Sequence, residues 1–527
     1  MKENPATMSA VIGYFANVCG WRRWAVAFFA GAGAALSMAP FYFFPLLVAG
    51  YTILAVFIDA SKKQKRPRFS AFIAGWWFGF GYFLLGIYWM AFSFFVQADE
   101  FAWMAPFAIT ALPAFLALFT AAASALSCAF WPHGWRRIIF FTVIFASFEF
   151  LRGHVLTGLP WNLSGQALAG AAIWAQTAAW YGAYGLSFVV ILICVLPMLG
   201  VSDAGNNFNW KKGVLPPVIA IAFLLLVGWL RLIGIESGPQ KEISLRVVQP
   251  NISQREKIDP SFWGENFNKQ LSLSQSTNSN DHNLIIIWPE NGVPLLDESQ
   301  RAMTILATSL PEKSVLVAGA VRRTNANNGA QSFYNSISIA SPVGDSLLIT
   351  GQYDKHHLVP FGEYLPFFGI LDAVGLAQLT PYGDAGFARG EGPATFKIAG
   401  AEFALLICYE AIFPGEIYPK GQRPDGIITV TNDAWFGDSS GPRQHLDQAR
   451  LRSIESGLPM ARSANTGISA VIDAKGRIIE KLPLYERGKI DAPLPRKLSQ
   501  TLYGVVGDWL FGAMCLVGLI VSRTRKK

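Results

Sequence analysis

Charge is what this sequence has least of: Asp, Glu, Lys and Arg make up 15% of its 527 residues, against the quarter usual in soluble domains. Hydrophobic residues reach 52% and aromatic ones 14%, which excludes a disordered chain, a collagen and a coiled coil. Cysteine is sparse as well. Five in so long a chain cannot build a disulfide scaffold. Cys19, Cys128, Cys194 and Cys515 lie in or beside apolar stretches, so only Cys408 has polar surroundings. The sequence also lacks a G-x-x-x-x-G-K-[ST] phosphate loop and C-x-x-C or H-E-x-x-H metal spacing, so no metal or cofactor is expected. A net charge of +8 would suit nucleic acid, but residues 239–501 hold 25 basic against 27 acidic residues. The basic excess instead flanks the apolar stretches, which points to a lipid bilayer and away from nucleic acid.

What is abundant is apolar sequence in runs that approach the roughly 20 residues needed to cross a membrane. Eight stretches qualify, at about 24–39, 41–58, 70–95, 104–130, 137–151, 177–200, 214–233 and 502–522. Pro40 divides the first two, which leaves a re-entrant hairpin open there. No signal-peptide cleavage pattern follows the first, and Arg22-Arg23 reads as a flanking anchor. With the N-terminus inside, 15 Lys and Arg fall on inner flanks, including Lys62, Lys63, Lys65, Arg66 and Arg68, against Arg152 and Arg231 outside. That asymmetry predicts both termini in the cytoplasm and the large polar region outside. The expected division is a membrane domain over 1–238, an extracytoplasmic domain over 239–495 and a last span with a basic tail over 496–527. A transporter would carry ionisable groups in mid-membrane. Here Glu149 and Arg152, three apart, read as a local ion pair, and the Gly75 to Trp89 stretch reads as a helix-packing face.

Residues 239–495 alternate short β-branched runs with polar, helix-compatible stretches, which predicts an α/β layered domain. Candidate strands are 243–248, 284–288, 314–320, 336–340, 403–407, 427–431 and 468–472. Sites in such folds gather at strand ends. Three ends are chemically unusual. Glu290 follows an apolar run and a proline, either as a desolvated carboxylate at a strand mouth or as a loop Glu that caps something. Tyr353 to Pro366 encloses Lys355, His356, His357 and Glu363 among aromatics and prolines, and adjacent histidines do not share a face, which argues against a metal. Cys408-Tyr409-Glu410 ends a buried run, so the thiol is either inert core or a nucleophile. Its lack of a disulfide partner and its polar neighbours favour the nucleophile. Gly437-Asp438-Ser439-Ser440-Gly441 matches G-x-S-x-G, with His445 and Asp447 nearby. Pro442 follows, however, and no apolar strand runs into the motif, so it reads as a loop.

Together, Trp288-Pro289-Glu290, Lys355 with His357 to Glu363, Cys408-Tyr409-Glu410 and Asn432 to Gly437 resemble the nitrilase, or carbon-nitrogen hydrolase, superfamily. Placed between a bundle of spans and one final span, they resemble the apolipoprotein N-acyltransferase family over essentially the whole chain. The resemblance implies an αββα sandwich beside an α-helical polytopic membrane bundle. It implies transfer of a fatty acyl chain from a phospholipid donor to the N-terminal α-amine of a diacylglyceryl-modified apolipoprotein. It further implies Glu290 as general base, Lys355 as oxyanion stabiliser and Cys408 as nucleophile through a thioester. The Tyr409 N–H would assist the oxyanion, and Glu363 and Glu410 would position Lys355 and the lysine–thiol pair. The setting implied is a bacterial inner membrane, with a periplasmic catalytic domain in a protein working as a monomer.

Phe367, Phe368, Ile370, Leu371, Val374 and Leu376 form an apolar stretch expected either to dip toward the outer leaflet as a lid or to pack as an amphipathic helix on its own domain. The chain departs from the family after Asn251 to Lys257, where Ile258 stands in place of a frequent Trp. Two rival functions remain. A membrane-anchored amidase would give its thioester to water, and a transporter would keep a degenerate domain for binding.

Overall fold

The computed structural model describes residues 12–202, 208–233, 239–275, 283–325, 331–366 and 386–523. The chain forms two compact units, one of Met1–Ile235, Ser439–Leu451 and Thr501–Lys527, the other of Glu236–Asp438 and Arg452–Gln500.

In the first unit each of the eight apolar stretches holds a helix: α1 (Gly20–Ala35), α2 (Phe44–Ser61), α3 (Pro67–Gly86), α4 (Ala105–Ala129), α5 (Arg136–Arg152), α6 (Ala178–Val195), α7 (Trp210–Leu232) and, last in the chain, Trp509–Arg523. Among the described residues, five apolar helical segments are long enough to cross a membrane: Phe44–Ser61, Pro67–Gly86, Ala98–Ala129, Ala178–Leu199 and Trp210–Leu232. Residues 36 to 43 separate α1 from α2, and Phe43 N–H donates to Leu36 O across that connection.

Glycine sets how closely these helices approach. A Cβ at Gly79 of α3 would lie 1.9 Å from Thr120 Oγ1 of α4, and one at Gly81 would lie 2.1 Å from Phe28 O of α1. The expected packing face is therefore real, and it serves two neighbours. The expected Glu149–Arg152 ion pair is not formed. Glu149 instead accepts from the backbone N–H (3.0 Å) and hydroxyl (2.6 Å) of Ser164. Arg152, at the end of α5, donates to the carbonyls of Leu159 (2.5 Å) and Trp161 (2.7 Å). Both groups find stronger partners in the chain that turns back after α5, because free carbonyls and N–H groups are concentrated at a helix end.

Residues 439–451 belong with this helical unit. Trp161 Nε1 donates to Gln444 Oε1 at 2.7 Å, Tyr42 donates to Asp447 Oδ2 at 2.7 Å, and Arg450 donates to Gly170 O at 2.8 Å. Ser439 and Ser440 precede the helix Gly441–Ser456 in an irregular loop, as expected for a motif without a strand-to-helix elbow.

The second unit contains two six-stranded sheets. The first comprises β1 (Pro239–Gln249), β2 (Leu284–Pro294), β3 (Val315–Asn325), β4 (Gln331–Val343), β5 (Ser346–Asp354) and β12 (Gly488–Pro495), in the order β12-β1-β2-β3-β4-β5. The second runs β11-β10-β9-β8-β7-β6, from β6 (Thr395–Ile398), β7 (Ala401–Ile407), β8 (Gly426–Thr431), β9 (Met460–Ala464), β10 (Ser469–Ile472) and β11 (Ile478–Leu482). Both are mixed: β2 pairs in parallel with β1 and β3, and β8 in parallel with β7 and β9. Leu245, Ile285, Ile287, Leu405 and Val430 fill the space between the sheets. On the outer side of the first sheet, Leu284, Ile286 and Trp288 join Leu271 and Leu306 from the helices Trp263–Ser274 and Gln300–Ser309. Strand β2 is thus apolar on both faces, which is why its sequence is a continuous apolar run with no alternation.

All seven expected strands are present, and β5, β6, β9, β11 and β12 add to them. One expectation fails in detail. Strand β2 does not stop at Trp288; it continues to Pro294, with its register against β3 interrupted between Trp288 and Val293. Glu290 lies inside that interruption, on a bulge.

Candidate active site

The lysine comes from the end of β5. Lys355 follows Asp354 directly and is 1% exposed. Its Nζ lies 2.8 Å from Glu363 Oε1 and 3.4 Å from Glu290 Oε1. Asn335 Nδ2 donates to the same two oxygens, at 2.7 Å each. Two donors therefore face two carboxylates in one buried cluster. The β4–β5 ladder carries this arrangement, because Lys355 N–H donates to Asn335 O at 2.8 Å and brings the two side chains side by side.

Glu363 is held by a turn of its own: its N–H donates to Val359 O at 2.9 Å, and its Oε2 accepts Val359 N–H at 2.8 Å. Burial alone would lower the Lys355 pKa, but the carboxylates of Glu363 and Glu290, together with Cys408, outweigh it and raise it. The lysine is held as an ammonium.

The cysteine comes from the end of β7. Cys408 opens a short 3-10 turn, Cys408–Ile412, with φ of 49°. A non-glycine residue in this left-handed region is strained, and such strain persists only where its surroundings enforce it. Glu410 enforces it from inside the turn, its Oε2 accepting Ile407 N–H at 2.7 Å. Burial and the Glu290 carboxylate push the Cys408 thiol well above its ordinary range, while Lys355 pulls it down. A thiol in that balance is neutral at rest and needs a base to become a nucleophile.

Glu410 reaches the lysine and the thiol through the backbone. Its hydrogen bonds go to neither Lys355 nor the thiol but to the backbone beside each. Oε1 accepts His356 N–H at 2.8 Å and His357 N–H at 3.2 Å, and Tyr353 donates its hydroxyl proton to the same carboxylate at 2.9 Å. One buried carboxylate thereby ties the end of β5 to the end of β7. Despite its burial, bonds and charge from His356 hold its pKa below the ordinary value. Tyr409, beside Cys408 in the turn, sets its ring edge-on to Phe413 at 5.1 Å.

His356, His357 and Glu416 bring one donor atom each within 4.8 Å of one another. The adjacent histidines thus do converge, contrary to expectation, because the chain bends at the strand end. The contacts they make are with carboxylates: His356 Nδ1 lies 2.6 Å from Glu410 Oε1, and His357 Nδ1 lies 3.0 Å from Glu416 Oε2. Burial works against charge on His356, but the carboxylates of Glu410, at 2.6 Å, and Glu416, at 3.8 Å, dominate and raise its pKa to about 9, while Glu416 falls to about 2.

Sequence reasoning missed Asn335, Tyr353, His356 as an ion-pair partner, and Lys257, whose Nζ donates to the Glu290 main-chain carbonyl at 2.5 Å. Asn335 had no motif to announce it; only strand register reveals it. The apolar stretch from Phe367 to Leu376 lies outside the described residues.

Comparison with known proteins agrees at both ends of the chain. The apolipoprotein N-acyltransferase N-terminal domain matches residues 30–196, and carbon-nitrogen hydrolase matches residues 245–503. An apolipoprotein N-acyltransferase from Rhodopseudomonas palustris is 41% identical over 95% of this chain and 94% of its own length. One from Bradyrhizobium diazoefficiens is 41% identical over 96% of each. A solved carbon-nitrogen hydrolase superfamily protein from Xanthomonas campestris aligns with 52% of this chain and 96% of its own, at 17% identity and a TM-score of 0.34. With two such relatives matched from end to end, the chain belongs to the apolipoprotein N-acyltransferase family.

Proposed function

We propose that this protein transfers a fatty acyl chain from a membrane phospholipid to the α-amine of the diacylglyceryl-cysteine at the N-terminus of an apolipoprotein. The observation that carries the reading is the buried Lys355 ammonium shared between Glu290 and Glu363, electrostatically coupled to a strained Cys408. Glu290 takes the thiol proton, and Cys408 Sγ attacks the ester carbonyl of the phospholipid. Lys355 and the Tyr409 N–H hold the oxyanion, a type of contact whose removal costs about 10²- to 10³-fold in rate. The ester C–O bond breaks, Glu290 returns the proton to the departing lysophospholipid alcohol, and a Cys408 thioester remains. The lipoprotein amine then attacks the thioester and gives up a proton to Glu290. The C–S bond breaks, an amide forms and the thiol is restored. Two half-reactions at one nucleophile make the kinetics ping-pong.

The membrane reading joins this chemistry. Both substrates keep their acyl chains in a bilayer, and five apolar helices suit a protein that meets them there. We assign residues 1–238 and 496–527 to eight spans with both termini in the cytoplasm, and 239–495 to a periplasmic catalytic domain at a bacterial inner membrane. The charge asymmetry of the flanks supports this orientation. The protein acts as a monomer without metal or cofactor.

Intact-mass measurement of the purified protein with phospholipid tests the reading. An acyl-sized adduct is expected on wild type and absent from Cys408→Ala, and a diacylated lipopeptide should discharge it. Loss of the adduct to water alone would make the protein a hydrolase, and no adduct with any lipid would end the catalytic reading.

A further inference from the structure

The stretch from Asn251 to Lys257 has no part in the chemistry above, yet it is tied to the site at several points. Ile252 N–H donates to Asn465 Oδ1 at 2.9 Å, and Asn465 Nδ2 returns a bond to Ile252 O at 2.7 Å. Asn432, just past the end of β8, donates to Gln254 Oε1 at 2.6 Å. The short helix Gln254–Ile258, with Ser253 accepting Glu256 N–H at its start, then delivers Lys257. This partly buried ammonium donates to the main-chain carbonyl of Glu290 at 2.5 Å. The carbonyl belongs to the bulge of β2, where register against β3 jumps from Trp288 to Val293 and Asn291 adopts φ of 50°. Lys257 therefore fastens the part of β2 where regular pairing is interrupted.

We propose that Lys257 is a positioning residue for acyl transfer: its ammonium fixes the backbone that carries Glu290 and supplies positive charge against which the Cys408 thiolate forms. This rests on the reading of Glu290 as base and Cys408 as nucleophile. The groups acting on Lys257 are Glu290 from β2 and Cys408 from the turn after β7. Lys355 also acts on Cys408, as does Asp433, and Glu290 bonds to Lys355. Burial lowers Lys257 to about 8 against the attraction of Glu290 and Cys408. Its charge is present at neutral pH and is lost as pH rises through that value.

The test is the rate of iodoacetamide alkylation at Cys408, read from the Cys408 peptide mass in the purified full chain between about pH 6 and pH 10. Lys257→Met should slow alkylation about tenfold at neutral pH, the fall in thiolate fraction that a one-unit rise in the thiol pKa produces, and should approach wild type at the top of the range, where the wild-type lysine has lost its charge. Thioester formation from phospholipid should slow in parallel with little change in KM, and Lys257→Arg should keep the wild-type alkylation rate at neutral pH. An unchanged alkylation rate at neutral pH in Lys257→Met overturns the proposal. Should that variant fail to fold, Lys257→Arg decides alone. Its charge survives above pH 8, so it should alkylate faster than wild type there, and equal rates overturn the proposal. Glu290→Gln separates the two readings, because removing its charge should shift the Cys408 alkylation rate at neutral pH upward. No shift in that variant sinks the site assignment itself, whereas a shift there with none in Lys257→Met sinks only the role of Lys257.

Discussion

Lys355 sits closer to Glu363 than to Glu290, at 2.8 Å against 3.4 Å. The shorter contact gives Glu363 the larger share in keeping the lysine protonated, and Glu290 the smaller one. Two carboxylates bonded to the same ammonium thereby have different work.

Glu363→Gln should accordingly cost rate more than fold. The amide oxygen can still accept from Lys355 and Asn335, and its NH₂ then faces the Val359 N–H at a site only partly buried, where water can take up the lost bond, but the charge that raises the lysine is gone. A loss in kcat of about 10- to 100-fold is expected, from weakened charge stabilisation of the oxyanion, with the thermal midpoint little changed. Single-turnover acylation beside a melting curve checks both halves. A full-rate variant would remove Glu363 from the mechanism.

Glu410→Gln should do the reverse and damage the structure. Its carboxylate is 2% exposed and accepts from Ile407, His356, His357 and Tyr353. Placing an NH₂ among those donors leaves buried groups unpaired, at about 1–3 kcal/mol each. The expected result is a lowered unfolding midpoint together with lost activity, measured on the same preparation.

The His356 cluster gives a signed pH dependence. Its pKa is raised in the folded state to about 9 from 6.5, so its contribution is complete below 6.5 and disappears as pH rises through 9. Glu416 is lowered to about 2, so its contribution is complete above its ordinary 4.5 and is lost as pH falls toward 2. His356→Gln should thus be less stable than wild type near pH 6, and the gap should close above pH 9. Equal stability at pH 6 would refute the ion-pair role.

In the helical unit, Gly79→Leu should abolish folded yield, since even a Cβ would meet Thr120 Oγ1 at 1.9 Å. Gly33→Ala provides the control, because its Cβ would find Leu46 at an ordinary 4.0 Å. Detergent-extracted, monodisperse protein is the measure, and recovery of normal Gly79→Leu would show that α3 and α4 can separate.

The parts of this protein readable from sequence were those in which one local pattern decides the outcome. Apolar length marked the eight apolar helices of the first unit, and apolar runs marked the strands buried on both faces, such as β2, β7 and β8. Strand β9 was hidden because Arg462 stands in the middle of Met-Ala-Arg-Ser-Ala, where it pairs with Asp433 at 2.9 Å. Edge strand β11, Ile-Ile-Glu-Lys-Leu, was hidden by its charge. Within the site, Glu290 and Cys408 stood out as ionisable groups at the ends of apolar runs, and Lys355 as one enclosed by aromatics and prolines. Asn335 and Lys257 did not, because their partners are set by sheet register and by a bulge. The Glu149–Arg152 pairing was misjudged because spacing along a helix says nothing of the chain that returns to its end.

Asn335 donates to both Glu290 and Glu363, while its own Oδ1 is buried with no partner among the described residues. The orientation of this amide is thus dictated by where negative charge lies, and it matters chemically as the protein ages. Spontaneous deamidation would replace the donor with a third carboxylate oxygen against two already present, with one ammonium to balance all three. A mass gain of about one dalton at a residue with no place in the proton transfers would thus upset the balance of charge that holds Lys355 in place.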